Sequence, residues 1–453
     1  MPEKTYDILV IGGGVVGLAV LRRFAMGGLR CLLLEKGSDI LSGASKGNSA
    51  LLHTGFDAEP GSLELKCMSA GYEEYLAVKD ELNLPLLATS ALVVAWNEDE
   101  RKKFAGIMEK ARINGVSGVE PVGRAKLRKL EPELASGALD ALLVPGEFVI
   151  DPWSAPLAYA HQALAHDAII RRNAEVTAVG RTNGVWSVVS KAGVFAARTI
   201  INAAGLFGDR VEALAHPPRF TIKPRKGQFV VFDKPASRLV SAIILPVPAE
   251  RTKGIVLFPT VFGNLAIGPT AEETEERSEA SCDRATLERL KARAIEIVPA
   301  LDGIGINAIY AGLRPATECK DYVIEALPQQ NWITVSGIRS TGLTAALGIA
   351  QHVEALYARE CGDLPKAKSA PRWTPVPNLA ENGERPYRQG GEIVCHCEWV
   401  TRGEIEAALS GPLPAADLAG LKRRTRASMG RCQGFNCGAE LRSMLEKALH
   451  GAA

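Results

Sequence analysis

Residues 7–36 read DILVIGGGVVGLAVLRRFAMGGLRCLLLEK, and this stretch narrows the fold more than any other. Asp7 to Ile11 form a short, mostly apolar run, as a parallel strand buried on both faces requires. Gly12, Gly14 and Gly17 follow in G-x-G-x-x-G spacing, and a helix-like segment then leads to a second apolar run, CLLL. The three glycines allow, in turn, a tight turn, a close approach of backbone to a pyrophosphate, and close packing of helix on strand. The helix N-terminus adds free N–H groups and the positive end of a dipole. Glu35 closes the second strand, where an acid suits ribose hydroxyls. A glycine-rich loop alone would say little. Bounded by strands and followed by that acid, it predicts a dinucleotide-binding βαβ unit.

No second G-x-G-x-x-G follows. Reductases that pass hydride from a nicotinamide to a flavin usually carry two such units. One unit at the N-terminal end therefore favours FAD as resident cofactor, with hydride coming from a substrate. At 453 residues the chain is expected to form two or three domains. Its net charge of +2 offers no field for nucleic acid. No uncharged run reaches the ~18 apolar residues of a membrane span. The start, MPEKTYDILVIGGG, lacks the features of a signal peptide. The expectation is a cytoplasmic protein with reduced thiols, reaching the inner membrane only through a partner. Five scattered cysteines, Cys31, Cys67, Cys282, Cys319 and Cys361, read as buried small hydrophobes.

Further segments follow in order: SGASKGNSALLHTGFDAEPGSLELKC from Ser42, TIINAAGLFGD from Thr199, TKGIVLFPTVFGNLAIGPTAEE from Thr252, YAGLRPATECKDYVI from Tyr310 and VSGIRSTGLTAALGIA from Val335. Together with the opening motif they resemble the D-amino-acid-oxidase-like superfamily of FAD enzymes, over about residues 5–360. The nearest branches in appearance are the glycerol-3-phosphate and L-2-hydroxyglutarate oxidases. The resemblance implies an α/β fold. A Rossmann-like FAD domain (about 1–82, 146–218 and 328–364) would interleave with an α+β substrate domain of mainly antiparallel sheet (about 83–145 and 219–327). It implies FAD contacts from Gly12, Gly14, Gly17, Glu35, Lys36, Ser45, Asn48, Ser49, Val176, Ala204, Gly205, Gly337, Arg339, Gly342, Leu343 and Thr344. Ser49 and His53 would stand beside the flavin, and Lys253 and Arg314 would hold the substrate.

The residue types have their own chemistry. A neutral imidazole near pH 7 suits removal of a hydroxyl proton, although His53, after the apolar run SALL, equally suits a structural role. The Arg314 fork suits a carboxylate or phosphate, or a surface salt bridge. Arg225 and Arg339 are further basic candidates, with a solvated face as the competing reading. The segment from Thr341 reads as a helix whose first amides would face the flavin pyrimidine. SALVVAWNEDE, GQFVVFDK and GNLAIGPT read as strands.

Residues 365–390 are proline-rich, without apolar periodicity, and read as an extended linker. Beyond it stand Cys395, Cys397, Cys432 and Cys437, a C-x-C pair and a C-x4-C pair. Four thiolates in two tight pairs suit Zn²⁺ or a [2Fe–2S] cluster, and C-x-C is a poor zinc pair. About residues 391–450 resemble the bacterioferritin-associated-ferredoxin-like [2Fe–2S] domain, small and mainly helical, which is also found on the catalytic subunit of anaerobic glycerol-3-phosphate dehydrogenase. Thr401 and Glu404 have capping-box spacing, and His396 reads as a spacer. LKRRTR and Arg431 put positive charge near the cluster or on a solvated face.

An oxidase that hands electrons to O₂ needs no cluster; a dehydrogenase that exports them singly does. The expected function is an FAD-dependent dehydrogenase for a small anionic hydroxy compound, feeding a redox partner within a hetero-oligomer. That partner would be a second flavoprotein or a membrane-associated quinone-reducing protein. Glycerol 3-phosphate is the first choice of substrate, L-2-hydroxyglutarate the second, an amino acid or opine the third. The reading from a different class is a zinc-stapled binding flavoprotein whose tail docks a partner.

Overall fold

The structure is a computed structural model and describes residues 5–248, 254–365, 370–381 and 391–451. The opening motif folds as strand Tyr6–Ile11, helix Val15–Met26 and strand Cys31–Leu34. The first strand lies parallel to the second, with Ile8 opposite Cys31, and to Gly193–Asn202, with Ile8 opposite Thr199. Its side chains alternate between faces. Ile8 and Val10 pack with Leu18, Phe24 and Met68 and with Leu347 of the helix Gly342–Glu360. Leu9 and Ile11 pack with Trp186, Val188 and Trp332. Burial on both faces is why these strands are apolar without polar alternation. The sheet runs Val176–Thr182, Val185–Ser190, Gly193–Asn202, Tyr6–Ile11, Cys31–Leu34, Ile169–Arg171, and Trp332–Ser336 also pairs with Gly193–Asn202.

A second sheet takes the strands between. Its order is Glu272–Glu273, Arg225–Phe232, Leu265–Gly268, Val256–Pro259, Ile243–Pro246, Ala91–Ala95, Asp140–Val144, Glu120–Val122, with Ile306–Arg314 on Arg225–Phe232. The pair Ala91–Ala95 with Ile243–Pro246 is parallel, and the other pairs are antiparallel. A small third sheet joins Leu51–Leu52, Phe148–Ile150 and Leu86–Leu87. It brings residue 53 beside residue 147. Cys31 and Cys67 are buried, but Cys282 and Cys361 are only half-buried and Cys319 is exposed. Cys319 stands in the polar run TECKD after strand Ile306–Arg314, which corrects the expectation that all five are core residues.

The described part of the proline-rich segment, 370–381, has no helix or strand and lies along the body. Val376 N–H donates to Leu82 O and Glu381 N–H to Val261 O. After it come two short paired strands, Ile393–Cys395 and Val400–Thr401, and helices Arg402–Ala408, Leu418–Thr425 and Gly438–Gly451. The Thr401–Glu404 capping box forms with both of its bonds. Val394, Val400, Ile405, Leu421 and Leu441 make a core with Cys395 and Cys437.

This tail is seated on the loop after Cys31–Leu34. Arg424 puts both terminal nitrogens on the Asp39 carboxylate, at 2.6 and 2.9 Å, and both side chains are buried. Arg423 donates to Ile40 O, and Ser38 donates to Asp417. Arg426 lies 3.7 Å over the Phe262 ring and donates to Glu398. The basic run is therefore not a solvated face. Asp39 is the centre of this contact, so Asp39→Ala should strand a buried guanidinium. The expected loss is about 3–5 kcal/mol of unfolding free energy, read as a lower denaturation midpoint.

Candidate active site and metal centre

A cavity of about 480 Å³ opens along the carboxyl ends of the first sheet. Gly12, Gly14, Gly17, Glu35, Lys36, Ser45, Asn48, Ser49, Val176, Ala204, Gly205, Gly337, Arg339, Gly342, Leu343 and Arg314 all line it. Thr344 and His53 do not, and Lys253 lies outside the described residues.

The glycine cradle fits a pyrophosphate. Gly12 has φ +112°, and a Cβ there would lie 2.5 Å from Ala203 O. A Cβ on Gly17 would lie 2.0 Å from Gly12 O. Any side chain would push the turn off the helix start. Val15, Val16 and Gly17 stay on the wall, with no acid in the helix's first turn to repel an anion. Ser45 Oγ already accepts Val15 N–H at 3.0 Å. Glu35 fixes the loop from below: its carboxylate accepts Gly13 N–H at 2.6 Å and Gly37 N–H at 2.7 Å. Lys36 Nζ lies 3.2 Å from the centre of the Phe207 ring, and burial pulls its pKa down. Arg210 and Arg339 add charge. Arg277, also on the wall, is committed to Asp209, Leu206 O and Ile222 O.

The far end is built by strands of the second sheet. Arg314 ends the strand Ile306–Arg314, opposite Arg225. Burial, with Arg225 beside it, pulls the Arg314 pKa down to about 10, so it remains a cation near neutrality. Its guanidinium donates to Thr270 O, and among the described residues no carboxylate forms an ion pair with it. Arg225 reaches Glu273 instead, at 3.7 Å. Arg339 donates to Cys319 O. Tyr310, stacked on Phe229 at 4.5 Å between ring centres, donates to Asn48 O.

His53 stands at the small sheet. Its N–H donates to Thr344 Oγ1 at 3.1 Å, which ties it to the helix whose Gly342 and Leu343 line the cavity. Its Nδ1 lies 2.8 Å from Glu147 Oε2. Sequence reading missed Glu147. The available signal was an acid in the apolar stretch LLVPGEFVI, where only a partner makes a carboxylate tolerable.

In the tail the four cysteines come from separate loops into one neighbourhood, where their thiols act on one another electrostatically. Burial, then Cys395, pushes the Cys437 thiol up to about 12. Backbone N–H groups of Asn436, and with them Gly434 and Phe435, face the Cys432 sulfur and pull its pKa down. Ser428 N–H lies 3.4 Å from Cys395 Sγ. Among the described residues no three His, Cys, Asp or Glu side chains close on a point that one ion would occupy. Four thiols are the number that a [2Fe–2S] cluster would need.

Comparison with known proteins agrees with both centres. The family described as FAD dependent oxidoreductase matches residues 7–356, and the BFD-like [2Fe-2S] binding domain matches residues 393–447. The glycerol 3-phosphate dehydrogenase of Caloramator mitchellensis is 29% identical over 98% of this chain and 94% of its own. An anaerobic glycerol-3-phosphate dehydrogenase subunit from Escherichia coli K12 is 25% identical over 98% of this chain and 89% of its own. The structure of L-alpha-glycerophosphate oxidase from Mycoplasma pneumoniae with FAD bound superposes with a TM-score of 0.75, at 27% identity, over 82% of this chain and 97% of that one.

Proposed function

The chain belongs to the FAD dependent oxidoreductase family and carries a BFD-like [2Fe–2S] domain, and from that premise we propose that it is a dehydrogenase for glycerol 3-phosphate. Bound FAD supplies a two-electron hydride acceptor, and the cluster a one-electron carrier. The protein's own residues do the rest. The Gly12–Gly17 turn and the helix start hold the pyrophosphate. Arg314 holds the anionic end of the substrate: among the described residues its hydrogen-bond partner is a carbonyl, which leaves the rest of the guanidinium to favour an anion. His53 takes the hydroxyl proton at Nε2 as the adjacent C–H leaves. Ser49 lines the cavity wall, and Lys253 is a second cation for the substrate.

The observation that carries this reading is the alignment with the Caloramator dehydrogenase, which runs through the cysteine tail as well as the flavin portion. A tail seated on the cofactor loop has its use in exporting electrons. By likeness to the Escherichia coli protein, which is one subunit of its enzyme, the recipient is a further member of a hetero-oligomeric assembly in the cytoplasm. Among the described residues no helix is long and apolar enough to cross a membrane, so contact with a membrane acceptor falls to that partner.

Anaerobic addition of glycerol 3-phosphate should bleach the flavin absorbance. If it does not, and L-2-hydroxyglutarate does, the substrate assignment falls while the dehydrogenase stands. Arg314→Ala should weaken the apparent dissociation constant for substrate by about 10–100-fold, the equivalent of a lost charge-assisted hydrogen bond of roughly 1.5–3 kcal/mol. The limiting rate of bleaching should change far less.

A further inference from the structure

We propose that Glu147 is a positioning residue that holds His53 in the tautomer able to accept the substrate's proton. The inference rests on the reading of His53 as the base. The placement of Glu147 is built from several directions. Strand Phe148–Ile150 pairs with Leu51–Leu52 on one side and Leu86–Leu87 on the other, which sets residue 147 beside residues 53 and 54. Tyr72 OH donates to Gly146 O at 2.8 Å, and Thr89 Oγ1 donates to Glu147 O at 2.9 Å. The carboxylate is 0% exposed. Its Oε1 accepts Thr54 N–H at 2.6 Å and Thr54 Oγ1–H at 2.7 Å; its Oε2 lies 2.8 Å from His53 Nδ1. Among the described residues no Lys or Arg pairs with it.

The donor–acceptor logic then fixes the ring. A carboxylate only accepts, so Nδ1 of the neutral imidazole must carry its hydrogen, and Nε2 must carry the lone pair. Among the described residues Nε2 has no hydrogen-bond partner, and the side chain is 24% exposed, which leaves that lone pair uncommitted. When Nε2 takes the proton, the new cation forms against a buried anion. This is the role of the orienting acid in a catalytic triad, reached here from a different fold.

Glu147→Gln separates this role from a merely structural one. The Thr54 N–H is backbone and cannot rotate, so the glutamine oxygen is committed to it. The amide NH₂ must then face His53 Nδ1, and a donor there requires a lone pair on Nδ1. The ring is driven to the Nε2–H form, which has nothing to offer a hydroxyl. Shape and hydrogen-bond count stay almost unchanged.

The test uses the holoenzyme, mixed rapidly and anaerobically with glycerol 3-phosphate, or with L-2-hydroxyglutarate if that is what bleaches the native flavin. For Glu147→Gln the limiting bleaching rate should fall by about 10²–10⁴-fold. The apparent substrate dissociation constant, the FAD content and the melting temperature should stay near native values. In ¹⁵N-histidine spectra the protonated nitrogen of neutral His53 should move from Nδ1 to Nε2. Near-native bleaching by Glu147→Gln, with His53→Ala slow, overturns the proposal and leaves His53 as the base. Near-native bleaching by both removes the base as well. Should the variant fail to fold, the native spectrum still decides: a neutral His53 in the Nε2–H form overturns the proposal.

Discussion

His53→Ala should keep its FAD and bleach roughly 10²–10⁴-fold more slowly than the native enzyme at saturating substrate, the usual contribution of a general base. Retention of FAD follows from the layout. The cradle is made by Gly12, Gly17, Ser45 and the helix start, and none of these contacts uses the His53 side chain. The bond that ties His53 to Thr344 is a backbone N–H and survives the substitution. One side effect is expected: Glu147 loses its imidazole and, among the described residues, keeps only Thr54 as a hydrogen-bond partner for its carboxylate. The variant should therefore melt earlier, which rate measurements below that temperature avoid. Bleaching at near-native rates would take His53 out of the mechanism.

The second large effect lies at the other centre. Cys437→Ser should strip or weaken the cluster, because an alcohol replaces one of four thiolates. Iron and acid-labile sulfide should fall together. Substrate should still bleach the flavin at close to the native rate, since Cys437 belongs to the tail core and not to the cavity wall. Turnover through the purified partner should collapse, while turnover with a small dye that reaches the flavin directly should persist. Native partner-coupled turnover in protein shown to lack iron would return the tail to a purely structural role.

The features legible in the sequence are those whose physics is local. The G-x-G-x-x-G turn, the capping box at Thr401 and Glu404, the helix after Thr341 and the cysteine pairs each depend on neighbours a few residues away. Arg314 was legible as a cation at the end of a strand, though not as one half-buried in the cavity wall, because that depends on the facing strand Arg225–Phe232. The features left open or missed depend on distant partners. The run LKRRTR looks like a wetted helix face until Asp39, from the opening βαβ unit, is placed against it. Glu147 finds its partner only when the three-stranded sheet sets it against His53. Hydrogen-bond satisfaction of buried polar groups is a property of the tertiary fold, and no window of sequence contains it.

The loop at residues 35–42 has two masters. On one side Glu35 holds Gly13 and Gly37, and Leu41 N–H donates to Gly13 O, at the wall of the cofactor cavity. On the other side Asp39 and Ile40 receive Arg424 and Arg423 of the tail. A segment shared in this way makes two equilibria reciprocal: whatever favours one side's geometry favours the other by the same factor. Loss of FAD should loosen the seating of the tail, and a chain shortened before the cysteines should hold FAD less tightly. Loading of the two redox centres during maturation should thereby be linked, a chain that has acquired one being better prepared to acquire the other.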